Sequence, residues 1–147
     1  MVLNLTFDTT VNTLGYDISG ITTYAAWFNN GASLANQLYT LEYSLVGDAS
    51  FSDAETIDFT PFDDTTEDTS GATQVAITGD SSSGIIASGV DAVRITFLDH
   101  GVDNGGQPGT VYQEVDVEGV ATVAVPEPSS LALLGLACAG FLVRRRS

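Results

Sequence analysis

Short segments in which apolar and polar side chains alternate, separated by turns rich in Gly, Asn and Asp, dominate this chain. The clearest is residues 38–46, where every second residue from Tyr39 to Leu45 is bulky and the residues between them are Thr, Glu and Ser. Successive side chains of a β-strand point to opposite faces, so this alternation predicts a half-buried antiparallel strand. Further strands are predicted at residues 3–7, 14–27, 74–78, 90–98 and 111–117, with a short one that ends before Pro61.

These strands predict the fold class, because no helical period longer than a turn or two precedes residue 131. We expect an all-β domain over residues 1–122, built as an antiparallel β-sandwich of jelly-roll type. Residues 121–125 either add an edge strand or begin a linker. The side chains expected to face the core include Val93, Ile95 and Phe97. On the last strand the side chains expected on one face are Val111, Val115 and Val117, and those expected on the other are Tyr112, Glu114 and Asp116.

The charge balance excludes one class of partner. The 147 residues include 19 acidic and four basic side chains, a formal net charge of −15. Three of the four basic residues are Arg144, Arg145 and Arg146, which leaves Arg94 alone before the tail. Proteins that bind nucleic acid use Lys and Arg to neutralise phosphates, so no nucleic-acid partner is expected. The low charged fraction of 16% favours one folded, secreted β-domain over an acidic disordered segment.

The last segment, residues 123–147, differs from everything before it. A Pro-Glu-Pro tripeptide precedes an uncharged apolar segment, residues 131–143, which predicts a helix and is followed at once by three arginines. This segment of about 13 residues is shorter than the roughly 20 that cross a bilayer comfortably, but it can cross where the bilayer thins. Arginines after an apolar helix favour the cytoplasmic side, so residues 1–122 are expected outside the cytoplasmic membrane. The alternative is a buried core helix, against which the absence of a polar face argues.

The order of these features carries a family resemblance. Pro126, Glu127 and Pro128, the apolar helix at 131–143 and the terminal arginine cluster together resemble the PEP-CTERM sorting signal of exported bacterial proteins. The resemblance implies that the tripeptide is recognised by an exosortase, a membrane transpeptidase-like enzyme. It also implies that the helix and the arginines, as a membrane stop, hold the precursor until processing. The host is then a bacterium with an outer membrane and extracellular polysaccharide.

The start of the chain lacks a feature that export requires. Residues 1–6 contain no basic residue, no long apolar run and no cleavage site for a signal peptide. The pattern there already resembles the inside of a strand. We therefore expect an N-terminally truncated gene model that lacks a signal peptide, with or without the first strands.

Parts of the body resemble a second family. Residues 38–44 contain a Leu-Glu-Tyr-Ser run, residues 93–97 surround an arginine, and residues 114–119 end in glycine. Together they look like the discoidin-type galactose-binding-like jelly roll, which implies a lectin-like or surface-adhesion module. Glu118 stands where that family has an aromatic residue before the glycine, and the paired cysteines of many members are absent because Cys138 is the chain's single cysteine. No sugar-contact residue is therefore carried over.

Two acidic loops are candidates for calcium. Asp99, Asp103 and Asn104 offer hard oxygen ligands in a Gly-rich loop, as Ca²⁺ prefers, although their spacing is not that of an EF-hand. A poorer second cluster consists of Asp48, Asp53 and Glu55. The alternative for both clusters is a solvated loop of an acidic secreted protein. No other cofactor is expected.

Other candidates for chemistry each have a structural alternative. Trp27 could stack on a sugar ring, but one of the adjacent Trp27 and Phe28 is expected in the core. Arg94 is expected to pair with a carboxylate of a neighbouring strand, such as Glu114 or Asp116, rather than to bind an anion.

The sequence also contains the residue types that hydrolases use. A serine-protease triad would need His100, Ser81 and a carboxylate to converge, and nothing in their spacing indicates this. Paired carboxylates for glycoside cleavage are available simply because the chain is rich in acids. We therefore expect no enzyme activity and no catalytic residue.

The sequence as a whole predicts an exported, non-enzymatic protein of the bacterial surface or extracellular matrix, with a structural or adhesive body. Its expected partners are an exosortase, the membrane before processing, and extracellular polysaccharide. The expected path is a precursor tethered to the cytoplasmic membrane and then release to the cell surface. The alternatives are a carbohydrate-binding module and, behind it, a fragment of a carbohydrate-active enzyme.

Overall fold

A computed structural model of the chain describes residues 1–28, 31–52, 54–62, 70–101 and 109–124. It contains strands and one 3₁₀ turn, η1, at Ala32–Ala35. The strands are β1 Val2–Thr6, β2 Tyr16–Trp27, β3 Gln37–Leu45, β4 Glu55–Phe59, β5 Gly71–Thr78, β6 Ala87–Phe97 and β7 Tyr112–Ala121. The all-β prediction is confirmed.

Every strand pairing is antiparallel, and the pairings connect into one 7-stranded sheet. Its continuous path is β4-β3-β6-β2-β5, with β1 paired to β6 and β7 paired to β2. The junction between β6 and β2 is short, because its register pairs only Tyr16 with Val90 and Ile18 with Ala87. The strands therefore do not form the two separate sheets of an ideal sandwich. They form one curled sheet with two halves, β1-β6-β3-β4 and β7-β2-β5.

The two halves face each other across a common core. Its buried members come from both halves and are Ile18, Ile21, Tyr39, Leu41, Ala87, Val90, Val93 and Ile95. The predicted inward positions on β6 are confirmed, since Val93 and Ile95 are buried and Phe97 packs against the core. On β3 the predicted face is also confirmed, since Tyr39 and Leu41 are buried and Tyr43 and Leu45 pack against the core, while Ser44 between them is buried as well.

One prediction for the last strand is wrong. Tyr112 was expected on the face opposite Val115 and Val117, yet all three side chains pack against the core. The reason is a register shift in the β2–β7 pairing, where Tyr24 lies opposite Glu114 but Ala25 lies opposite Tyr112. A bulge adds one residue to a strand and so reverses the alternation beyond it.

A buried hydrogen-bond network crosses the core at one end. Gln37 on β3 is fully buried, and its Oε1 accepts a hydrogen bond of 2.6 Å from the Thr23 hydroxyl on β2. Its Nε2 donates to the Thr73 hydroxyl on β5 at 2.9 Å, and Thr73 in turn donates to the carbonyl of Ala35 in η1. Buried polar groups of this kind need partners. The network satisfies them and joins the facing halves.

Among the described residues no helix has the length and apolar character needed to cross a membrane. The predicted helix at residues 131–143 lies outside the described part of the chain, as does the rest of the tail from residue 125. The division into residues 1–122 and 123–147 therefore stays a prediction.

Candidate functional site

The last described contacts of the body hold the chain where it leaves the sheet. The Thr122 hydroxyl donates to Asp17 Oδ1 at 2.6 Å, and the Ser88 hydroxyl donates to the same oxygen. We call Asp17, Ser88 and Thr122 the exit clasp. The hydrogen bonds from Ser88 and Thr122 lower the pKa of Asp17 below its usual range. The clasp therefore ties the end of β7 to the starts of β2 and β6 through an ionised carboxylate.

Close backbone packing brings these elements together. The Thr122 amide donates to the Gly15 carbonyl at 2.9 Å, and the Gly89 amide donates to the Thr122 hydroxyl at 3.2 Å. Gly15 has a φ of 79°, and a Cβ atom on it would approach the Gly89 carbonyl carbon to 2.7 Å. Only glycine fits this crossing. These contacts fix the backbone at Thr122, one residue after β7 ends.

The predicted calcium site at the 99–104 loop is only partly described. Asp99 is exposed, and its Oδ1 accepts a hydrogen bond of 2.9 Å from the Gly101 amide. Asp103 and Asn104 lie outside the described residues. His100 Nε2 lies 2.8 Å from the Gly109 carbonyl and connects the two described ends of this loop.

The second acidic cluster is also incomplete, because Asp53 lies outside the described residues. Asp48 and Glu55 are both exposed. Over the described ranges no group of three or more His, Cys, Asp or Glu side chains could hold a metal ion. Calcium therefore stays a prediction for both loops.

A cavity that sequence reasoning missed lies beside Asp99. Its volume is about 330 Å³, and it is lined by Met1, Phe97, Leu98, Asp99, Gly109, Thr110 and Tyr112. The rings of Phe97 and Tyr112 are in contact, with centroids 4.2 Å apart, and burial raises the pKa of Tyr112 to about 12. Tyr112 is thus neutral at physiological pH. The cavity combines an aromatic wall with the exposed carboxylate of Asp99, and the bulge that places Tyr112 there has no local sequence pattern.

Trp27 is the last residue of β2, opposite Gly71. It is 40% exposed and the adjacent Phe28 is 72% exposed, so the expectation that one of them belongs to the core is wrong. An exposed tryptophan at a strand end is available to stack on a ligand. Its ligand role stays a prediction.

Arg94 forms the expected cross-strand ion pair but with a different partner. Its Nε and Nη2 atoms donate to the two carboxylate oxygens of Glu42 at 2.7 and 2.6 Å, and its guanidinium lies 4.0 Å from the Phe51 ring centroid. Glu114 and Asp116 are the wrong partners because β6 pairs with β3, where Glu42 lies opposite Arg94, and not with β7. The hydrogen bonds from Arg94 also lower the pKa of Glu42.

The turn that contains Ser81 is organised by Asp80. Asp80 Oδ1 accepts hydrogen bonds from the Ser82 and Ser83 amides, both at 2.7 Å, and from the Ser82 hydroxyl at 2.6 Å. These hydrogen bonds, led by that of the Ser82 hydroxyl, hold the pKa of Asp80 well below its usual range. This arrangement is that of a turn stabilised by an aspartate side chain. Ser81 and His100 lie on different loops.

Comparison with known families finds a match in the tail. Residues 124–146 match the family model of the PEP-CTERM protein-sorting motif. The chain carries a PEP-CTERM sorting motif. Pro126, Glu127, Pro128, Arg144, Arg145 and Arg146 all lie inside the matched range, although their individual roles stay predictions. The motif implies an exported protein that is sorted at the membrane and processed by an exosortase, itself a membrane protein.

The PEP-CTERM motif begins three residues after β7 ends at Ala121 and does not cover the body. No curated protein and no solved structure matches the chain. The discoidin-type resemblance of the body therefore stays a prediction.

Proposed function

We propose that this chain is a structural or adhesive protein of the bacterial surface or extracellular matrix, with an all-β body that has no catalytic activity. The observation that carries the proposal is the PEP-CTERM match at residues 124–146, which follows directly on the last strand. A sorting motif at the end of a folded all-β body fits a protein whose task lies at the place of delivery.

The path we propose starts with a tethered precursor. Residues 131–143 anchor it in the cytoplasmic membrane, and the arginines at 144–146 stay on the cytoplasmic side. The exosortase then acts at Pro126, Glu127 and Pro128 and releases the body toward the surface or the polysaccharide matrix. The body meets the demands of that location, because a net charge far from zero keeps a protein soluble. Its one basic side chain, Arg94, is already paired with Glu42.

A pair of matched substitutions tests this path. The full chain, with an export signal in front, is produced in a host that has an exosortase, and the precursor and processed forms are separated by mass. Glu127→Gln changes the tripeptide, and Glu118→Gln makes the same chemical change on the exposed face of β7. We expect Glu127→Gln to accumulate precursor in the membrane fraction and Glu118→Gln to be processed like the unaltered chain. Equal processing of both variants would reject the proposed role of the tripeptide.

A second candidate function is carbohydrate binding, and the cavity beside Asp99 favours it. Sugars present an apolar ring face and hydroxyl groups, which suit an aromatic wall next to a carboxylate or amide. Phe97 and Tyr112 supply such a wall and Asp99 supplies an exposed carboxylate, while Trp27 offers an exposed ring elsewhere on the body. Calcium, for which Asp99, Asp103 and Asn104 are the predicted ligands, would then lie next to the cavity through Asp99.

A glycan array probed with residues 1–124, with and without calcium, distinguishes the two candidates. A lectin would show binding that Asp99→Asn weakens, whereas Asp48→Asn, the same change on the other acidic loop, would leave it intact. A structural protein would bind no glycan under either condition. Binding that depends on Trp27 and not on Asp99 would move the site to the end of β2.

A further inference from the structure

The strands at the edges of the sheet differ in charge. In the described part of the chain β1, β4, β5 and β7 each pair with a single neighbour, so each has a free edge. On β7 the side chains of Glu114, Asp116 and Glu118 line one face, and β4 carries Glu55 and Asp58. Charged side chains on an edge strand prevent pairing with other strands. β7 and β4 are therefore protected.

β5 has no such protection. It has eight residues, Gly-Ala-Thr-Gln-Val-Ala-Ile-Thr, with no charge and no proline in a chain of net charge −15. Its outward side chains are small or neutral: Ala72, Gln74, Ala76 and Thr78 are all exposed. An uncharged edge strand of this length is a template for pairing with another strand.

β5 is fully paired along the edge that faces β2. All eight of its residues pair with β2, from Gly71 opposite Trp27 to Thr78 opposite Gly20. On the inner side, buried Thr73 is fixed by hydrogen bonds to Gln37 and to the Ala35 carbonyl. An edge that is already ordered loses little conformational entropy on binding.

We propose that the free edge of β5 pairs antiparallel with β5 of a second copy of this chain. A two-fold pairing joins the two β7-β2-β5 halves into one continuous sheet and buries the same strand on both copies, as closed homodimers do. Strands lie about 4.8 Å apart, so the two acidic β7 strands end up about 24 Å from each other. That separation is about three Debye lengths at physiological ionic strength. Repulsion between these two β7 strands is therefore screened.

The other edges fit a second copy less well. Self-pairing through β7, centred on Asp116, would place carboxylates opposite carboxylates at about 5 Å, which destabilises a pair of strands. β4 has only five residues, and two of them are acidic. β1 is uncharged but has five residues against the eight of β5, and so offers fewer backbone hydrogen bonds. A second copy is a suitable partner because its β5 is also uncharged, so pairing β5 with β5 brings no charges of these strands together.

The oligomeric state of residues 1–124 tests this inference independently of sorting. All the strands and core residues of the described ranges lie within this segment, so it contains the fold as the structure describes it. Sedimentation over a concentration series should show a reversible monomer–dimer equilibrium. Gln74→Glu with Ala76→Glu adds acids to the β5 edge, and Gln113→Glu with Ala121→Glu makes the same chemical change on exposed positions of β7. We expect the first pair to raise the dimer Kd at least about fivefold and the second to leave it unchanged.

Three outcomes would overturn the proposal. The first is a body that stays monomeric up to millimolar concentration, and the second is equal weakening by the two variants. The third is a dimer that fails to crosslink through β5. Residues 1–124 contain no cysteine, so Gln74→Cys and Ala76→Cys, alone and mixed, report on the pairing directly. A β5 dimer should give a disulfide-linked product with at least one of these combinations and none with Gln113→Cys.

Discussion

The tail and the body of this chain hold their information in different forms. The tail is defined by the order of adjacent residues: a tripeptide, an apolar segment and an arginine cluster within residues 124–146. The body is defined by contacts between distant residues, such as Arg94 with Glu42 and Thr23 with Gln37. An order of residues can be moved to another protein unchanged, whereas a set of distant contacts cannot. The comparison therefore predicts that the tail is portable and that the body is cooperative.

The largest expected effect is on portability. Residues 123–147 fused to an unrelated exported protein should make that protein a substrate of the exosortase, while residues 1–122 fused in the same way should not. We expect a change from no processing to nearly complete processing, measured as the ratio of precursor to product. If the tail worked only behind its own body, the comparison would fail.

Cooperativity of the body predicts the next largest effect. Val93 is 1% exposed and Val120 is 68% exposed, so the same substitution to Ala tests burial at matched chemistry. Val93→Ala removes two buried methyl groups and leaves a cavity, which should lower the free energy of unfolding by about 2–3 kcal/mol. Val120→Ala should change it by less than about 0.5 kcal/mol. Urea denaturation of residues 1–124 measures both.

Removing the hydrogen-bond network that joins the two halves of the sheet should lower the free energy of unfolding somewhat less than Val93→Ala does. Gln37→Leu leaves the buried hydroxyl of Thr73 without its donor and removes the Gln37 acceptor of the Thr23 hydroxyl, which keeps only its contact with the Tyr39 hydroxyl. The expected cost is about 1–3 kcal/mol. Gln113→Leu, on the exposed face of β7, is the matched control and should be nearly neutral. A neutral Gln37→Leu would mean that the halves of the sheet are joined by apolar packing alone.

The smallest effect concerns pH. The pKa of Asp17 is lowered in the folded state, so its stabilisation is fully present above the unfolded value of about 3.9 and is lost as the pH falls through the lower folded value. Asp17→Asn should therefore lower Tm at neutral pH, and its difference from the unaltered body should shrink below about pH 4. A difference that is constant with pH would contradict the proposed charge dependence of the exit clasp.

Local patterns in the sequence predicted those parts of the fold that depend on one strand at a time. The alternation in residues 38–46 and 90–98 identified β3 and β6, and the inward side chains of β6 follow it. Strand neighbours could not be predicted, because the residues around Arg94 contain no information that β3 is the neighbour of β6. Tyr112 was assigned to the wrong face because a bulge leaves no periodic trace. Gln37 was missed because a polar residue at an inward position resembles an outward one.

The candidate sites divide in the same way. The motif in the tail was recognisable before any fold was known, since its chemistry depends on consecutive residues. The cavity beside Asp99 was not, because Phe97 and Tyr112 come from strands that are not paired with each other and meet only in three dimensions. Whether any such cavity exists depends on the bulge in β7.

The exit clasp also sets a length. Four Cα–Cα steps separate Thr122 from Pro126, a contour of about 14 Å at full extension. An enzyme that cuts at the tripeptide would therefore work within about 14 Å of Thr122, the last residue of the exit clasp. A protruding or shallow active site can dock there, but a deep tunnel cannot close around the scissile bond unless the last hydrogen bonds of the body open first.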